Sequence, residues 1–332
     1  MTYNEFKLAA YKYKYETAIE TEYARVSYGE LLKRVNALYN SFYQMGAAGK
    51  TVAVLTANCR ETVYAIIAGI KAGCRCVMCR VSGPADALLQ KLSVYRPSVA
   101  VVHGCHFAHA TPVLSKIGCN CAIVTENTDI DREALPSVHF LSELLEINDY
   151  NSVAVQNGDG TVVLANDGVH FDTRQAILNT GRRDGIYIGL PLYCGAGFDS
   201  LFYALLSGHK CVFNEKPTAQ FFKKKNVKLA LAYDGAKTFD VDSLFYKNDN
   251  TLCINSEFIY PQECEKLISE AIGYPVSVGF DGEKIKISVM LSDDSDIKSV
   301  AGSPLAHAVA NVAADAFYGI GCQKSVVFKK TV

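Results

Sequence analysis

The residues able to do chemistry come in clusters. Twelve cysteines and seven histidines stand in a chain of 332 residues. Thiols and imidazoles bind metals, attack carbonyl carbons and move protons near neutral pH. Cys74-x-Cys76-x-x-Cys79 offers three sulfurs. On a strand, positions 74 and 76 share one face and 79 takes the other. Three sulfurs without a clear fourth ligand make a poor zinc site, so packing as small hydrophobic side chains is the expected role. His103-Gly104-Cys105-His106-x-x-His109 is denser. His103 and Cys105 can share a strand-end face, and His106 and His109 meet across a helical turn, giving four N/S donors of a kind that suits zinc. The competing reading is a set of surface histidines in a loop after a strand. Cys119-x-Cys121 reads as packing beside a strand start. Cys194 is a candidate nucleophile, with three histidine-bearing segments available to activate it (His103 to His109, His139 and His170), but the sequence does not say which of them meets it.

The surrounding chain bounds these readings. Its 33 basic and 34 acidic side chains give a net charge of −1. Nucleic acids and anionic membranes are bound through clustered Lys and Arg, so neither is an expected partner. The basic runs Lys223-Lys224-Lys225 and Lys329-Lys330 read as solvated surface. With 20% charged residues, 19 Tyr and 16 Phe, the chain is not of a disordered composition. The opening residues Met1 to Glu5 lack the basic and apolar regions of a leader. The longest apolar stretches, such as 63–70, fall far short of the ~20 residues that span a bilayer. A cytoplasmic protein with reduced thiols is expected.

The elements that position the clusters are legible from periodicity. Ser27-x-x-Glu30 predicts a capping box opening a helix that carries Leu31, Leu32, Val35, Leu38, Tyr39 and Phe42 inward. Strands are expected over 51–56, 74–79, 98–102 and 121–125, with helices over 60–71, 86–95 and 111–117 between them. That alternation implies a mostly parallel sheet with right-handed crossovers. Asn157-Gly158-Asp159-Gly160 and Asn166-Asp167-Gly168 read as hairpin turns. Further on, a helix over 173–178, a strand over 186–190, a helix over 198–206 and strands over 211–213 and 228–232 are expected. The polar stretch 234–250 suggests a boundary near 247–251. Beyond it the pattern is helix 261–271, strands 276–280 and 284–291 about Asp281-Gly282, a helix capped by Ser303-Pro304, and a last strand over 325–329.

Several segments resemble the adenylate-forming superfamily, the group that includes acyl-CoA synthetases, peptide-synthetase adenylation domains and luciferase. Ser27-Tyr28-Gly29-Glu30-Leu31-Leu32-Lys33-Arg34-Val35-Asn36-Ala37-Leu38 is similar to its "TYAELLRRVNALA" opening. Thr51 to Leu55 with Asn58, Glu61 and Ala68-Gly69-Ile70-Lys71-Ala72-Gly73 resembles "RVAVLLPNCPEFVAALLGALKAG". Leu190-Pro191-Leu192-Tyr193-Cys194-Gly195 resembles "LPLFHIFG", and Gly208 to Phe213 with Pro217, Phe221 and Val227 continues in the same order. Ile254 to Glu265 is similar to the "IKINGEKISPEEIE" that opens the family's small mobile domain. The resemblance implies an α/β fold: a large acyl-CoA-synthetase-like domain over 1–248 with mostly parallel sheets, and a small α/β domain over 251–332.

Three nucleotide-handling motifs of that family have no counterpart. Its phosphate loop, "TSGTTGxPKG", should lie just before Thr161-Val162-Val163-Leu164, where Val155-Gln156-Asn157-Gly158-Asp159-Gly160 stands. These residues include no Ser, Thr or Lys, and Asp159 would repel a phosphate. Losing about three charge-assisted hydrogen bonds forfeits roughly 5–9 kcal/mol. The block from "YGxTE" to "YxTGD" is missing between Asp234 and Asn248. The terminal "PKTASGKI" motif is not reached before Val332, and Lys329 and Lys330 read as exposed rather than as its catalytic lysine. The expectation is a shortened, degenerate member without ATP or magnesium binding and with no cofactor. An acyl or aryl pocket along Tyr193, Cys194, Gly195, Gly197 and Phe198, where the glycines would leave room for a ligand, stands against its collapse into core. Three functions follow as expectations. One is a non-adenylating protein that binds an acyl or aryl molecule, a carrier protein or a full-length paralogue. Another is an acyltransferase using a pre-activated thioester through Cys194. The last is a metal or redox module on His103, Cys105, His106 and His109.

Overall fold

The computed structural model describes residues 2–126, 129–147, 160–164, 172–214, 217–233, 242–246, 252–254, 257–259, 261–281, 284–291, 303–318, 320 and 323–330. They form two compact units, Met1–Val81 with Asp86–Tyr246, and Ser82–Ala85 with Lys247–Val332. The hairpins expected at 157–160 and 166–168 and the boundary at 247–251 lie outside the described residues.

The first unit is α/β, as the strand–helix alternation predicts, and contains two six-stranded sheets. One runs in the order Ser137–Phe140, Cys121–Val124, Val99–Val102, Thr51–Leu55, Arg75–Met78, Thr161–Leu164, every neighbouring pair parallel. The central segments VAVL, CVM and VAVV are buried along their length. Parallel strands covered on both faces read as apolar runs rather than alternations, which is why their sequences show no period of two. The chain enters this sheet at Thr51–Leu55, steps to Arg75–Met78 on one side, then crosses to Val99–Val102 on the other. The order therefore reverses between Thr51–Leu55 and Val99–Val102. In open α/β sheets such a reversal opens a crevice at the carboxyl ends of the strands.

The second sheet runs Asp242–Tyr246, Val227–Tyr233, Gly185–Ile188, Lys210–Val212, Thr17–Glu20, Arg25–Ser27. All its pairs are parallel except the last. Glu20, only 3% exposed, is held in it by Lys210 at 2.9 Å, Arg25 at 2.9 Å and Lys225 at 3.4 Å. Burial alone would raise the Glu20 carboxyl, but hydrogen bonds from Lys210 and Arg25 outweigh it and hold the group below its ordinary range. Lys225 is thereby corrected: Lys223 and Lys224 are solvated, but Lys225 turns inward to Glu20.

Local signals set the helices. Tyr28–Gln44 is capped by Ser27, whose hydroxyl accepts from the Glu30 N–H at 3.1 Å. The Glu30 carboxylate turns to Arg34 instead of reaching back, so only half of the expected box forms. A complete box opens Tyr3–Lys12, between Thr2 and Glu5. The helix expected at 111–117 begins earlier, as Phe107–Lys116 after a 3-10 turn at Gly104–His106. Cys76 packs its sulfur where a Cβ on Gly69 would stand, which joins the helix Arg60–Lys71 to the strand Arg75–Met78. Cys74, Cys76 and Cys79 are all buried. Burial pushes the Cys74 thiol up to about 11 and that of Cys79 up to about 12. They are core side chains, as the strand geometry predicts.

The second unit carries the helix Pro261–Ile272, the antiparallel strands Val276–Asp281 and Lys284–Leu291, the helix Pro304–Ala316 and the strand Gln323–Lys330 parallel to Lys284–Leu291. Ile285, Ile287, Val289 and Leu291 alternate inward and pack with Ile268, Val309, Ala313 and Phe317. The short strands Leu252–Ile254 and Glu257–Ile259 pair antiparallel. Among the described residues no helix is long and apolar enough to cross a membrane.

Lys71 ends the helix Arg60–Lys71 in an aromatic cage. It is 6% exposed, donates to Asn36 Oδ1 at 2.8 Å, and lies 4.0 Å from the Tyr39 ring centroid and 5.2 Å from that of Tyr3. Burial, with Lys7 nearby, lowers its ammonium to about 8. Between that value and about 10.4 the unfolded chain binds more protons at this site than the folded one, so its contribution to stability rises with pH. The unfolding free energy of the wild type, measured relative to Lys71→Met in urea, is therefore expected to increase from pH 7 to pH 10. A difference that stays flat over that range contradicts the assignment.

Candidate functional site

The carboxyl ends of the two sheets of the first unit meet at one side chain. Asn58 stands in the loop after Thr51–Leu55. Its amide Nδ2 donates to the Leu190 carbonyl at 2.6 Å and the Ile188 carbonyl at 3.3 Å, and its Oδ1 accepts from the Leu192 N–H at 3.0 Å. Ile188 ends the strand Gly185–Ile188 of the other sheet. One carboxamide thus fixes the loop that carries 189–194. Below it Thr62 closes the helix start, accepting or donating with Thr56 at 2.7 Å and donating to the Ala57 carbonyl at 2.6 Å.

That loop carries the residues expected to line a pocket. Tyr193 is 4% exposed and Cys194 is fully buried. Cys194 precedes the helix Gly195–Leu206, and its thiol donates to the Pro191 carbonyl at 2.9 Å. Gly195 and Gly197 are buried in the first turn. A Cβ on Gly197 would collide with the Pro191 carbonyl oxygen and lie 2.8 Å from that of Leu190. The space that this glycine opens is therefore filled by the chain's own backbone, not left for a ligand. Phe198 packs on Phe202 with ring centroids 4.5 Å apart. The helix starts at Gly195 rather than at 198, because the buried loop turns directly into it.

The second cluster lies at the carboxyl end of Val99–Val102, beside the reversal in strand order. The His103 N–H bonds to the Leu55 carbonyl at 3.1 Å. His103 Nδ1 is 3.0 Å from Cys105 Sγ, and His103 Nε2 is 3.2 Å from Glu126 Oε1. The His106 ring lies 5.9 Å from that of His103. Burial, aided by His103 and His109, pushes His106 down to about 4, so it stays neutral at pH 7. Among the described residues no three His, Cys, Asp or Glu side chains are grouped to hold a metal ion. The four donors expected to form a zinc set are divided: His103 and Cys105 pair with each other, and His103 takes a carboxylate that spacing did not reveal. Cys119 is buried behind Cys121, its thiol pushed up to about 11. His139 is 2.8 Å from Ser137 Oγ on an edge strand, and His170 lies outside the described residues.

Of the segment in the place of the phosphate loop, 155–159 lie outside the described residues. Gly160 is pinned by its N–H to the Ile70 carbonyl at 3.0 Å, and Thr161–Leu164 then pairs in parallel with Arg75–Met78. Lys329 lies on the exposed side of Gln323–Lys330.

Residues 6–156 match the family model described as AMP-binding enzyme. No curated protein matches the chain by sequence. Solved structures share the fold at low identity. A long-chain-fatty-acid CoA ligase from Rhodopseudomonas palustris aligns with TM-score 0.57 and 18% identity over 70% of this chain. The match spans 63% of the length of that ligase. The coronafacic acid ligase of Pectobacterium brasiliense aligns with TM-score 0.61 and 10% identity, covering 100% of this chain and 95% of that one. A long-chain-fatty-acid-CoA ligase from Archaeoglobus fulgidus gives TM-score 0.61 and 13% identity, covering 99% of this chain and 96% of that one.

Replacing Asn58 by Ala leaves the Leu190 carbonyl and the Leu192 N–H without this partner. Each buried polar group so stranded costs about 1–3 kcal/mol. Urea unfolding of Asn58→Ala is expected to show a loss of about 2–4 kcal/mol, and a loss below about 0.5 kcal/mol would place the junction elsewhere.

Proposed function

We propose that the chain is a non-adenylating member of the adenylate-forming superfamily that binds an acyl or aryl group, a reading supported by the match of residues 6–156 to the AMP-binding enzyme model. The observation that carries this reading is the composition of Val155 to Gly160. These residues immediately precede the strand Thr161–Leu164, as the phosphate loop precedes its strand in the family motif. They supply no hydroxyl and no ammonium, and Asp159 adds a carboxylate to a stretch of sequence where the family motif has hydroxyls and a lysine. The lack of a counterpart to the adenine and magnesium block between Asp234 and Asn248 supports the same reading. ATP and magnesium are then not cofactors of this chain, and it acts as a pseudoenzyme of a ligase family.

The acyl or aryl class is supported by the solved structures that share the fold, among them a coronafacic acid ligase and long-chain-fatty-acid CoA ligases. The bound group reaches this protein already made, as a free acid or a thioester, or is presented by a carrier protein or a full-length paralogue. The burial of Tyr193 and Cys194 favours a ligand that enters beside the 190–198 loop rather than one threaded through it.

ATP–pyrophosphate exchange, measured across fatty, benzoic and other aryl acids, is expected to show no turnover. Turnover with any acid overturns the proposal. Thermal unfolding is expected to shift upward with an acyl or aryl compound at concentrations well above its dissociation constant, by the equivalent of about 2.7 kcal/mol at a hundredfold excess, and not with ATP and magnesium.

A further inference from the structure

We propose that Cys105, His103 and Glu126 form a thiol nucleophile site that accepts an acyl group from a small acyl thioester. The three side chains come from the carboxyl ends of two neighbouring strands, Val99–Val102 and Cys121–Val124. Cys105 is exposed, and among the cysteines whose side chains are described it is the one in that class. Its sulfur lies 3.0 Å from His103 Nδ1. On the far side of the ring, His103 Nε2 lies 3.2 Å from a Glu126 carboxylate oxygen. A nucleophile within reach of a base, with the base oriented by a third group, is the arrangement that activates a thiol. In the tautomer that donates Nε2–H to Glu126, the Nδ1 lone pair faces the thiol.

Three further features fit the site. The strand order reverses between Thr51–Leu55 and Val99–Val102, so the site opens where α/β sheets receive ligands. Cys105 lies in the turn that leads into the helix Phe107–Lys116, whose N-terminal end carries positive partial charge. Thr125, between the strand and Glu126, buries its hydroxyl with no hydrogen-bond partner among the described residues. Elsewhere, burial pushes the thiols of Cys59, Cys74, Cys79 and Cys119 well up, which leaves them unreactive. Cys194, the thiol that the sequence singles out, is buried against the Pro191 carbonyl.

The step balances without a redox partner. The Cys105 S–H proton passes to His103 Nδ1. The sulfur attacks the thioester carbonyl carbon, a new S–C bond forms, and the carbon–sulfur bond to the donor breaks. The departing thiolate takes the proton back from Nδ1, leaving S-acyl-Cys105 and a free thiol. The nucleophile rests on the geometry alone, whereas the choice of an acyl donor rests on the function proposed above.

The test incubates the full chain with S-phenyl thioacetate and locates adducts by peptide mass spectrometry, with iodoacetamide as a non-acyl probe in parallel. Acetylation is expected at Cys105, lost in Cys105→Ser, and about 100-fold slower in His103→Ala. Added imidazole is expected to restore part of that rate. Glu126→Gln is expected to slow the wild type but to have no further effect in His103→Ala, because Glu126 acts only through the imidazole. Its exposed position keeps this variant informative if His103→Ala fails to fold. Equal rates of alkylation in wild type, His103→Ala and Glu126→Gln would overturn the nucleophile. Fast alkylation of Cys105 without acetylation would overturn the acyl donor and leave the non-adenylating reading untouched, since ATP–pyrophosphate exchange decides that separately.

Discussion

The carboxamide of Asn58 is the constraint on which the candidate site depends. It joins the loop leaving Thr51–Leu55 to the loop leaving Gly185–Ile188, and so ties the carboxyl ends of two separate parallel sheets. An amide suits this place because it donates and accepts at once, so a carbonyl and an N–H of the same loop are satisfied together. With that loop fixed, the helix Gly195–Leu206 starts directly behind Cys194, and Gly197 lets its first turn rest on the Pro191 carbonyl. The other end of the same helix is held by Tyr28, whose hydroxyl reaches the carbonyls of Leu205 and His209 at 2.9 and 2.8 Å.

The cysteines divide by environment rather than by number. Cys74, Cys76, Cys79 and Cys211 fill narrow gaps between helices and strands, where a small polarizable side chain packs and a thiolate would be desolvated. Cys105 stands instead at a strand end, in solvent and against an imidazole. Such polar clusters stand at the ends of the strands, where side chains leave the apolar runs and backbone groups are no longer consumed by the ladder. The buried Glu20 with its three cationic partners has the opposite character: it is ion-paired in place and belongs to the architecture of the second sheet.

The match of residues 6–156 to the AMP-binding enzyme model gives this architecture a context. Segments within that match make the scaffold. Tyr28 caps a helix end, Gly69 receives the Cys76 sulfur, and Lys71 closes an aromatic cage with Tyr3 and Tyr39. Each is a packing role. A scaffold maintained by such contacts folds whether or not it binds ATP, because none of them involves a phosphate.

The sequence by itself determined the alternation of strands and helices, the parallel class of the sheets and the resemblance to the adenylate-forming superfamily. All three rest on local periodicity, on end signals such as Ser27, and on collinear motifs, which need no knowledge of what lies opposite in space. It also named Asn58, Cys194 and the His103 to His109 run as residues of interest. Their roles were decided only by the tertiary structure. Cys194 lost its standing as a nucleophile when its loop was buried, and Lys225 lost its solvent when Glu20 met it. Glu126, which no spacing rule picks out, gained a part because two parallel neighbouring strands end side by side and bring residues 103 and 126 together. Pairing between strands is set by the order of the sheet, and that order follows from the packing of the whole unit, which no single stretch of sequence carries.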